Sequence, residues 1–327
     1  MVKSNEVKTL NLLVTGGLGF IGSNFIRHML EKYPDSMIIN LDKQTYAGNP
    51  DNLKDIENNI RYSFVRGDIC DKNVVNKLMQ KVDYVVHFAA ESHVDRSIED
   101  ASLFVKTNVL GTSTLLDSAL KHNVKKFIHI STDEVYGSRI EGSFKETDIL
   151  TPSSPYSSSK AGSDLLAQSY YITHKLPVII TRCTNNFGPY QYPEKLIPLF
   201  ITNILENKKV PVYGTGKNVR DWIYVLDHCK AIDFILHNGC IGEIYNIGGG
   251  AEKTNLEITK KILELLGKDE SMVDYVKDRP GHDLRYSLDC SKLKSLGWGP
   301  EHNFDYALEY TVNWYIENRW WWEKLKS

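Results

Sequence analysis

The chain has 327 residues, of which 42% are hydrophobic and 24% are charged, a composition that excludes a largely disordered chain. Its 39 basic and 41 acidic residues give a formal net charge of −2. A near-neutral surface excludes an electrostatic basis for binding nucleic acid or an anionic membrane.

The five cysteines are scattered and show no Cys-x-x-Cys spacing, which predicts reduced thiols and a cytoplasmic location. The N-terminal segment has no apolar signal core, and no stretch approaches the ~18–20 apolar residues of a membrane span. The ten histidines form no ligand motif, so we expect no metal.

Short, β-branched apolar runs alternate with helical patterns in the first half of the chain. The predicted strands are Thr9–Thr15, Met37–Leu41, Tyr62–Arg66, Tyr84–Ala89, Phe127–Ser131 and Val178–Arg182. The predicted helices are Gly22–Tyr33, Lys72–Gln80, Ala101–His122 and Pro155–His174. This alternation indicates an α/β fold with a doubly wound parallel sheet of Rossmann type.

The pattern loosens after residue 187, where several prolines fall close together. It mixes two short strands with three helices, namely Pro211–Tyr213, Ile244–Ile247, Leu196–Asn207, Leu256–Leu266 and Phe304–Glu317. We expect residues 1–187 to bind a dinucleotide, with a return of the chain to that domain near 222–250. Residues 188–327 then form a smaller α+β substrate domain. The run Trp320–Trp322 predicts a docked helix or a subunit contact rather than a membrane anchor.

A glycine-rich motif directly follows the first predicted strand. Gly16, Gly19 and Gly22 permit a tight turn and let the backbone approach a pyrophosphate at a helix N-terminus. The second strand leads to Asp42, 20 residues after Gly22. An acidic residue there accepts from a ribose diol and repels a 2′-phosphate, which favours NAD, although Lys43 weakens that exclusion. Loops after the later strands, at Asp68-Ile69 and Ala89-Ala90-Glu91-Ser92, complete the predicted pocket.

Tyr156 and Lys160 form a Tyr-x-x-x-Lys pair just after Ser154-Pro155, a suitable helix start. The i, i+4 spacing puts the phenol and the ammonium on one helical face. A neighbouring Lys⁺ lowers the pKa of a tyrosine, so we expect Tyr156 to act as a general base toward a hydroxyl that loses hydride.

The glycine motif, the Tyr-x-x-x-Lys pair and the loop after the fifth strand together resemble the extended short-chain dehydrogenase/reductase family. The resemblance implies binding of NAD and a nucleotide sugar. It also implies further cofactor contacts from Phe20, Ile21, Lys43, Thr45, Thr107, Tyr156, Lys160 and Asn185.

That fifth-strand loop contains Thr132-Asp133-Glu134. Two adjacent carboxyls beside a cofactor are costly unless they are used, and an acid and a base held apart in pKa suit the elimination of water. Thr132 can hydrogen-bond the reacting sugar oxygen. The three residues resemble the loop of the dTDP-glucose 4,6-dehydratases. Other similar segments include Asn185–Gln191, where Phe187 replaces an expected Tyr, and Asp278–Asp283.

This closer resemblance implies an NAD-dependent hydro-lyase that converts dTDP-glucose to dTDP-4-keto-6-deoxyglucose, as in dTDP-rhamnose biosynthesis. In that cycle Tyr156 deprotonates O4, Glu134 removes the C5 proton and Asp133 protonates the departing O6. The implied substrate contacts are Ser92, Thr132, Asn186, Lys195, Leu196, Pro211, Tyr213, Arg220, Asn255, Arg279 and His282. A homodimer is also implied, with apolar stripes near 101–122 and 155–174 covered by a second copy.

Several alternatives stay open at this point. A UDP-glucose 4,6-dehydratase has much the same catalytic loop, so the nucleobase is less certain than the reaction. A 4-epimerase does not need Asp133 and Glu134. A non-catalytic NAD-sensing protein predicts a degraded Tyr/Lys pair, whereas both residues are present.

Overall fold

The computed structural model describes residues 10–278 and 283–326. Its strands are β1 Asn11–Thr15, β2 Met37–Asp42, β3 Tyr62–Arg66, β4 Tyr84–His87, β5 Lys126–Thr132, β6 Val178–Cys183, β7 Asn185–Phe187, β8 Val210–Tyr213, β9 Val219–Tyr224, β10 Ile244–Ile247, β11 Glu252–Thr254 and β12 Val273–Val276. Its α-helices are α1 Phe20–Lys32, α2 Lys72–Met79, α3 Val94–Glu99, α4 Ala101–Phe104, α5 Thr112–Lys121, α6 Pro155–His174, α7 Leu196–Leu205, α8 Val225–Asn238, α9 Asn255–Leu265, α10 Ser291–Ser295, α11 Phe304–Glu317 and α12 Arg319–Trp322.

Seven strands form the central sheet in the order β10-β6-β5-β4-β1-β2-β3. Strand β1 pairs in parallel with both β2 and β4, so that Val14 lies between Asn40 and Val86. The order reverses beside β1, which makes the carboxyl ends of β1 and β4 the place where doubly wound folds bind ligands. The predicted α/β doubly wound fold is confirmed.

Strand β1 is apolar because it is covered on both faces. Leu12, Leu13 and Val14 are fully buried, and each such side chain contributes roughly 1.5–3 kcal/mol to folding. Helix α1 packs beside them through Phe25 and Ile26, which are also fully buried.

The chain forms two compact units, neither of which is continuous in sequence. The first comprises residues 1–130, 162–180 and 232–243, and the second comprises 131–161, 181–231 and 244–327. The expectation that residues 1–187 bind the dinucleotide and residues 188–327 bind the substrate is about ligand binding, which a division into compact units does not test. It stays a prediction.

The long helix predicted over Ala101–His122 is interrupted by a π-helical segment, Val105–Gly111. Asn108 in that segment is buried, and its amide bonds both backbone groups of Glu91: Oδ1 accepts from the N–H at 2.8 Å and Nδ2 donates to the carbonyl at 3.0 Å. Apolar periodicity does not reveal such a segment, because a π-turn shifts the helix phase by only one residue.

Smaller sheets occupy the second unit. They are β11-β9-β7, none of whose strands was predicted, and β12-β8, in which only β8 was predicted. Helix α8 was not predicted either. At the C-terminal end Trp321 and Trp322 are fully buried, whereas Trp320 is 52% exposed. The predicted docked helix is therefore present. None of the helices within the described ranges has the length and hydropathy needed to cross a membrane.

Candidate active site

The glycine loop between β1 and α1 leaves no room for a side chain at Gly16 or Gly22. Gly16 has a φ of +73°, and a Cβ there would lie 2.6 Å from the amide nitrogen of Ala89. A Cβ on Gly22 would lie 2.4 Å from the carbonyl oxygen of Gly16. The N-cap of α1 is Gly19, which has no side chain to cap the helix. This geometry fits a pyrophosphate at the helix N-terminus.

Asp42 at the end of β2 anchors the same loop. Its Oδ2 accepts the N–H of Leu18 at 2.9 Å and its Oδ1 accepts the N–H of Gln44 at 2.8 Å. Burial raises the pKa of this carboxyl, and the two backbone donors oppose that rise. Lys43 is paired with Asp68 at 2.9 Å, so two predicted cofactor residues contact each other. Asp42 was predicted as a ribose contact, and its hydrogen bond to the loop was not predicted.

The remaining predicted cofactor residues of the first unit differ in exposure. Ile69 is buried, Phe20, Ile21, Ala89, Ala90 and Thr107 are half-buried, and Thr45 and Ser92 are exposed. Phe20 and Ile21 open α1, and Thr107 lies in the π-helical segment.

In the second unit, Thr132 ends β5 and caps the short 3₁₀ turn Asp133–Tyr136. The Thr132 hydroxyl donates to Asp133 Oδ1 at 3.2 Å and accepts the N–H of Glu134 at 3.3 Å. It is also hydrogen-bonded to the side chain of Tyr156. The turn thus brings the three predicted loop residues and the predicted base together.

Asp133 is 3% exposed, and its Oδ2 is buried without a hydrogen-bond partner among the described residues. Burial raises the pKa of Asp133 well above its ordinary value, the Glu134 charge adds to the rise, and Arg220 opposes it. A carboxyl in this environment holds its proton, as a general acid must.

The helix that carries Tyr156 and Lys160 begins as predicted, with the Ser154 hydroxyl accepting the N–H of Ser157 at 3.1 Å. Both predicted catalytic side chains are buried. Lys160 was expected to lower the pKa of Tyr156, but the net shift of that pKa in the protein alone is upward. Burial, followed by the charge of Glu134, raises that pKa well above its ordinary value. Helical spacing identified the lysine but could not show how deeply the phenol is buried.

Cys183, at the end of β6, is a neighbour that sequence reasoning missed. Its thiol donates to the carbonyl of Ser131 at 3.5 Å, and burial raises its pKa to about 12. The charges of Asp133 and Lys160 both act on it. The available signal was its position at the carboxyl end of a sheet strand. All five cysteines are free thiols.

Among the predicted substrate residues, Asn186 is fixed by hydrogen bonds. Its Oδ1 lies 2.9 Å from His228 Nδ1, and its Nδ2 donates to the carbonyl of Thr184 at 3.0 Å. Burial lowers the pKa of His228 to about 3, so the imidazole is neutral and Nδ1 is the donor. His228 was not predicted.

Arg220 is 6% exposed and bonds backbone carbonyls, donating to Val219 at 2.8 Å and to Asp283 at 2.9 Å. Its guanidinium carbon lies 4.3 Å from the ring centroid of Tyr286. Three of its N–H groups are used in this way, with Leu284 as the third acceptor at 3.5 Å. This leaves fewer donors for a phosphate than sequence reasoning assumed.

Other predicted substrate residues are more scattered. Asn255 opens α9, and its buried Oδ1 has no partner among the described residues. The same holds for Oδ1 of Asn185 on β7, which was predicted as a cofactor contact. Lys195 and Leu196 begin α7, whereas Pro211 and the 39%-exposed Tyr213 lie on β8. Arg279 and His282 lie outside the described residues. Within the described ranges, no group of three His, Cys, Asp or Glu side chains could hold a metal ion.

Comparison with known proteins decides the family. Residues 13–311 match the family model described as GDP-mannose 4,6 dehydratase. The dTDP-glucose 4,6-dehydratase of Streptomyces niveus is 53% identical over 323 residues, which cover 97% of this chain and 96% of that protein. This chain belongs to that family of dehydratases, and within it to the dTDP-glucose 4,6-dehydratases. The resemblance inferred from the sequence is confirmed.

Solved structures of relatives have the same fold as this dehydratase-family chain. DesIV, a dTDP-glucose 4,6-dehydratase from Streptomyces venezuelae solved with NAD and TYD bound, superposes with a TM-score of 0.95. It is 54% identical, with 97% of this chain and 100% of that chain covered. The UDP-glucose 4-epimerase of Thermus thermophilus, solved with NAD, has a TM-score of 0.87 but only 30% identity, covering 94% of this chain and 100% of that chain.

Proposed function

We propose that this chain is an NAD-dependent hydro-lyase that converts dTDP-glucose to dTDP-4-keto-6-deoxyglucose. The observation that carries the proposal is the Asp133-Glu134 pair beside Tyr156, in which one carboxyl is buried and holds its proton. A 4-epimerase has no step that requires such an acid. The 53–54% identity to named dehydratases, against 30% to a named epimerase, supports the same choice.

The first step is the oxidation of the sugar at C4. Tyr156 accepts the proton of the O4 hydroxyl, and the Thr132 hydroxyl beside it orients that oxygen. Lys160, buried on the same helix, favours the ionised phenol. When held by the glycine loop and Asp42, NAD would supply the acceptor for the C4 hydride and the hydride that later reaches C6.

The second step is the loss of water across C5 and C6. A ketone at C4 acidifies the C5 proton, which Glu134 removes as the general base. Asp133 then donates its proton to the departing O6 hydroxyl, which leaves as water. After hydride has reached C6, C5 is reprotonated to give the 4-keto-6-deoxy product. The difference in burial supports these two roles, since Asp133 is buried and Glu134 is only partly buried.

Groups suited to each part of the ligands support the proposal. The glycine loop and Asp42 would hold the dinucleotide in the first unit. The side-chain carbonyl oxygens of Asn185 and Asn255 are buried and have no partner among the described residues. They could accept hydrogen bonds from a bound nucleotide. Arg220 is the buried cation that would face the diphosphate. The proposal extends to Arg279 and His282 on sequence similarity alone.

We further propose a cytoplasmic homodimer. Apolar side chains on the α4–α5 segment and on α6 are exposed in the single chain: Leu103, Val105, Leu110, Leu165 and Ile172 are each 41–63% exposed. A second copy that covers this face would remove them from water. Analytical ultracentrifugation of the wild type and of a Leu165→Glu variant tests this, and a monomeric wild type would refute it.

Isotope transfer tests the proposed reaction. Purified protein with NAD receives dTDP-glucose that carries deuterium on C4, and the product methyl group is analysed by mass spectrometry and NMR. We expect deuterium in the methyl group and the loss of one water. A product without deuterium at C6 would refute the intramolecular hydride return.

Two further measurements separate the alternatives. Offering dTDP-, UDP-, CDP- and GDP-linked sugars in parallel identifies the nucleobase, and conversion of only the UDP-linked sugar would select a UDP-glucose 4,6-dehydratase. Replacing Glu134 by Gln should leave substrate binding and C4 oxidation intact and stop the reaction before elimination. Normal turnover by this variant would refute the role assigned to Glu134.

A further inference from the structure

Asp283 joins two chain segments that lie beside the predicted catalytic groups. Its Oδ2 accepts a hydrogen bond from the Ser153 hydroxyl at 2.5 Å and another from the Tyr286 hydroxyl. Ser153 immediately precedes Ser154, the N-cap of α6, and lies three residues before Tyr156. One carboxylate therefore bonds both the entry to the catalytic helix and Tyr286.

The backbone of Asp283 makes a second set of contacts. Its carbonyl accepts from Arg220 Nη2 at 2.9 Å and from Asn218 Nδ2 at 3.1 Å. The segment continues along β9, since the N–H of Tyr286 donates to the carbonyl of Val219 at 3.3 Å. Arg220 is thus held by the backbone of the residue whose side chain holds Ser153.

Tyr286 connects these contacts to the acid–base pair. Its ring is 5% exposed and lies under the Arg220 guanidinium, 4.3 Å from the centroid to the guanidinium carbon. Burial and then the charge of Glu134 raise the pKa of its hydroxyl, so that it remains a donor to Asp283. The phenol of Tyr286 therefore lies within the electrostatic reach of the predicted C5 base.

We propose that Asp283 is a positioning residue for the dehydration, holding Arg220 through its carbonyl and Ser153 and Tyr286 through its carboxylate. This inference rests on the proposed function. Loss of the carboxylate releases Tyr286 and the guanidinium that stacks on it, and frees the loop that enters α6. Asp283 thereby couples the diphosphate contact to the placement of the reacting groups without touching the sugar.

The test compares Asp283→Asn, Ser153→Ala and Tyr286→Phe with Asp274→Asn, an identical chemical change at an exposed residue of β12. The affinity for dTDP is measured by calorimetry. The kcat and KM for dTDP-glucose are measured in the presence of NAD, at a temperature well below the melting temperature of every variant. We expect Asp283→Asn to lower kcat/KM by roughly 10- to 100-fold and to weaken dTDP binding, with Asp274→Asn unchanged.

The two hydroxyl variants keep the proposal testable if Asp283→Asn does not fold, because each removes one hydrogen bond and leaves the carboxylate in place. Each should lower kcat/KM alone, and should add little in the Asp283→Asn background, since the shared acceptor is already lost. Fully additive effects, or wild-type kcat/KM and dTDP affinity in all three variants, would overturn the proposal. A variant that loses only thermal stability does the same.

The wild type separates the two levels of inference. If it converts no dTDP-glucose, the proposed function fails. If it is active and Asp283→Asn matches it in kcat/KM and dTDP affinity, only the role of Asp283 fails.

Discussion

Replacing Asp133 by Asn removes a proton donor while keeping the size of the side chain. The carboxyl is 3% exposed and its Oδ2 has no partner among the described residues, so little packing is altered. General acid catalysis contributes about 10²–10⁴-fold to a rate, or roughly 2.7–5.5 kcal/mol of barrier. We therefore expect kcat to fall by that factor, with C4 oxidation retained and reduced nicotinamide accumulating.

The same substitution has a predictable effect on stability. Burial raises the pKa of Asp133, so the folded protein keeps a proton that the unfolded chain releases above about pH 4. The stability of the wild type consequently falls as pH rises, until the folded pKa is reached. Asparagine does not ionise. The free energy of unfolding of Asp133→Asn, minus that of the wild type, should therefore increase with pH by up to about 1.4 kcal/mol per pH unit.

The assay combines stopped-flow absorbance at the reduced-nicotinamide band with urea unfolding between pH 4 and pH 8. Asp274→Asn serves as the control, because it makes the same chemical change at an exposed residue. A stability difference between Asp133→Asn and wild type that shrinks with rising pH would refute the buried, protonated acid. Unchanged kcat would refute its role in elimination.

Tyr156→Phe removes the base for the first step, so both turnover and the transient reduced-nicotinamide signal should fall by about 10²–10⁴-fold in stopped-flow measurements; a normal transient would contradict this. Gly16→Ala places a Cβ 2.6 Å from the Ala89 nitrogen at a φ of +73°, so calorimetry should show weakened NAD binding, with thermal unfolding at lower temperature. Asp233→Asn should flatten the pH dependence of the melting temperature between pH 6 and pH 9. The hydrogen bond that His237 donates to Asp233 raises the pKa of His237, and the stability that this adds is present below about pH 6.5 and lost as pH rises through the folded pKa. An unaltered pH dependence of the melting temperature would show that the Asp233–His237 pair does not contribute to the pH dependence of stability.

Sequence patterns predicted the first half of the fold well because buried parallel strands are nearly uniform in hydropathy. Each of the first six strands was located to within two residues at either end. Strand β9 and helix α8 were missed because Val219–Tyr224 mixes charged and apolar residues. Asp221 is buried there with its Oδ1 bonded to the N–H of Ala251 at 2.6 Å, a partner 30 residues away. Such a pairing leaves no periodic signal.

The candidate site divides in the same way. Local spacing was enough to predict that Tyr156, Lys160 and the Thr132–Glu134 loop lie close together, since each depends on one helix face or one strand end. Residues that act through distant partners, such as His228 on Asn186, could not be found, because their function depends on contacts across many residues of chain. The raised pKa of Tyr156 belongs to this second class, since it depends on burial.

The interleaved order of the two compact units bears on how the polypeptide matures during translation. The first unit needs residues 232–243, so more than two-thirds of the chain must leave the ribosome before its last segment can dock. Asp233 is part of this last segment, and its carboxylate is hydrogen-bonded to the side chains of His28, Lys32 and Tyr33. These bonds can form only after the segment has been synthesised. Nascent chains shorter than this expose an incomplete first unit, and we expect them to require chaperone protection.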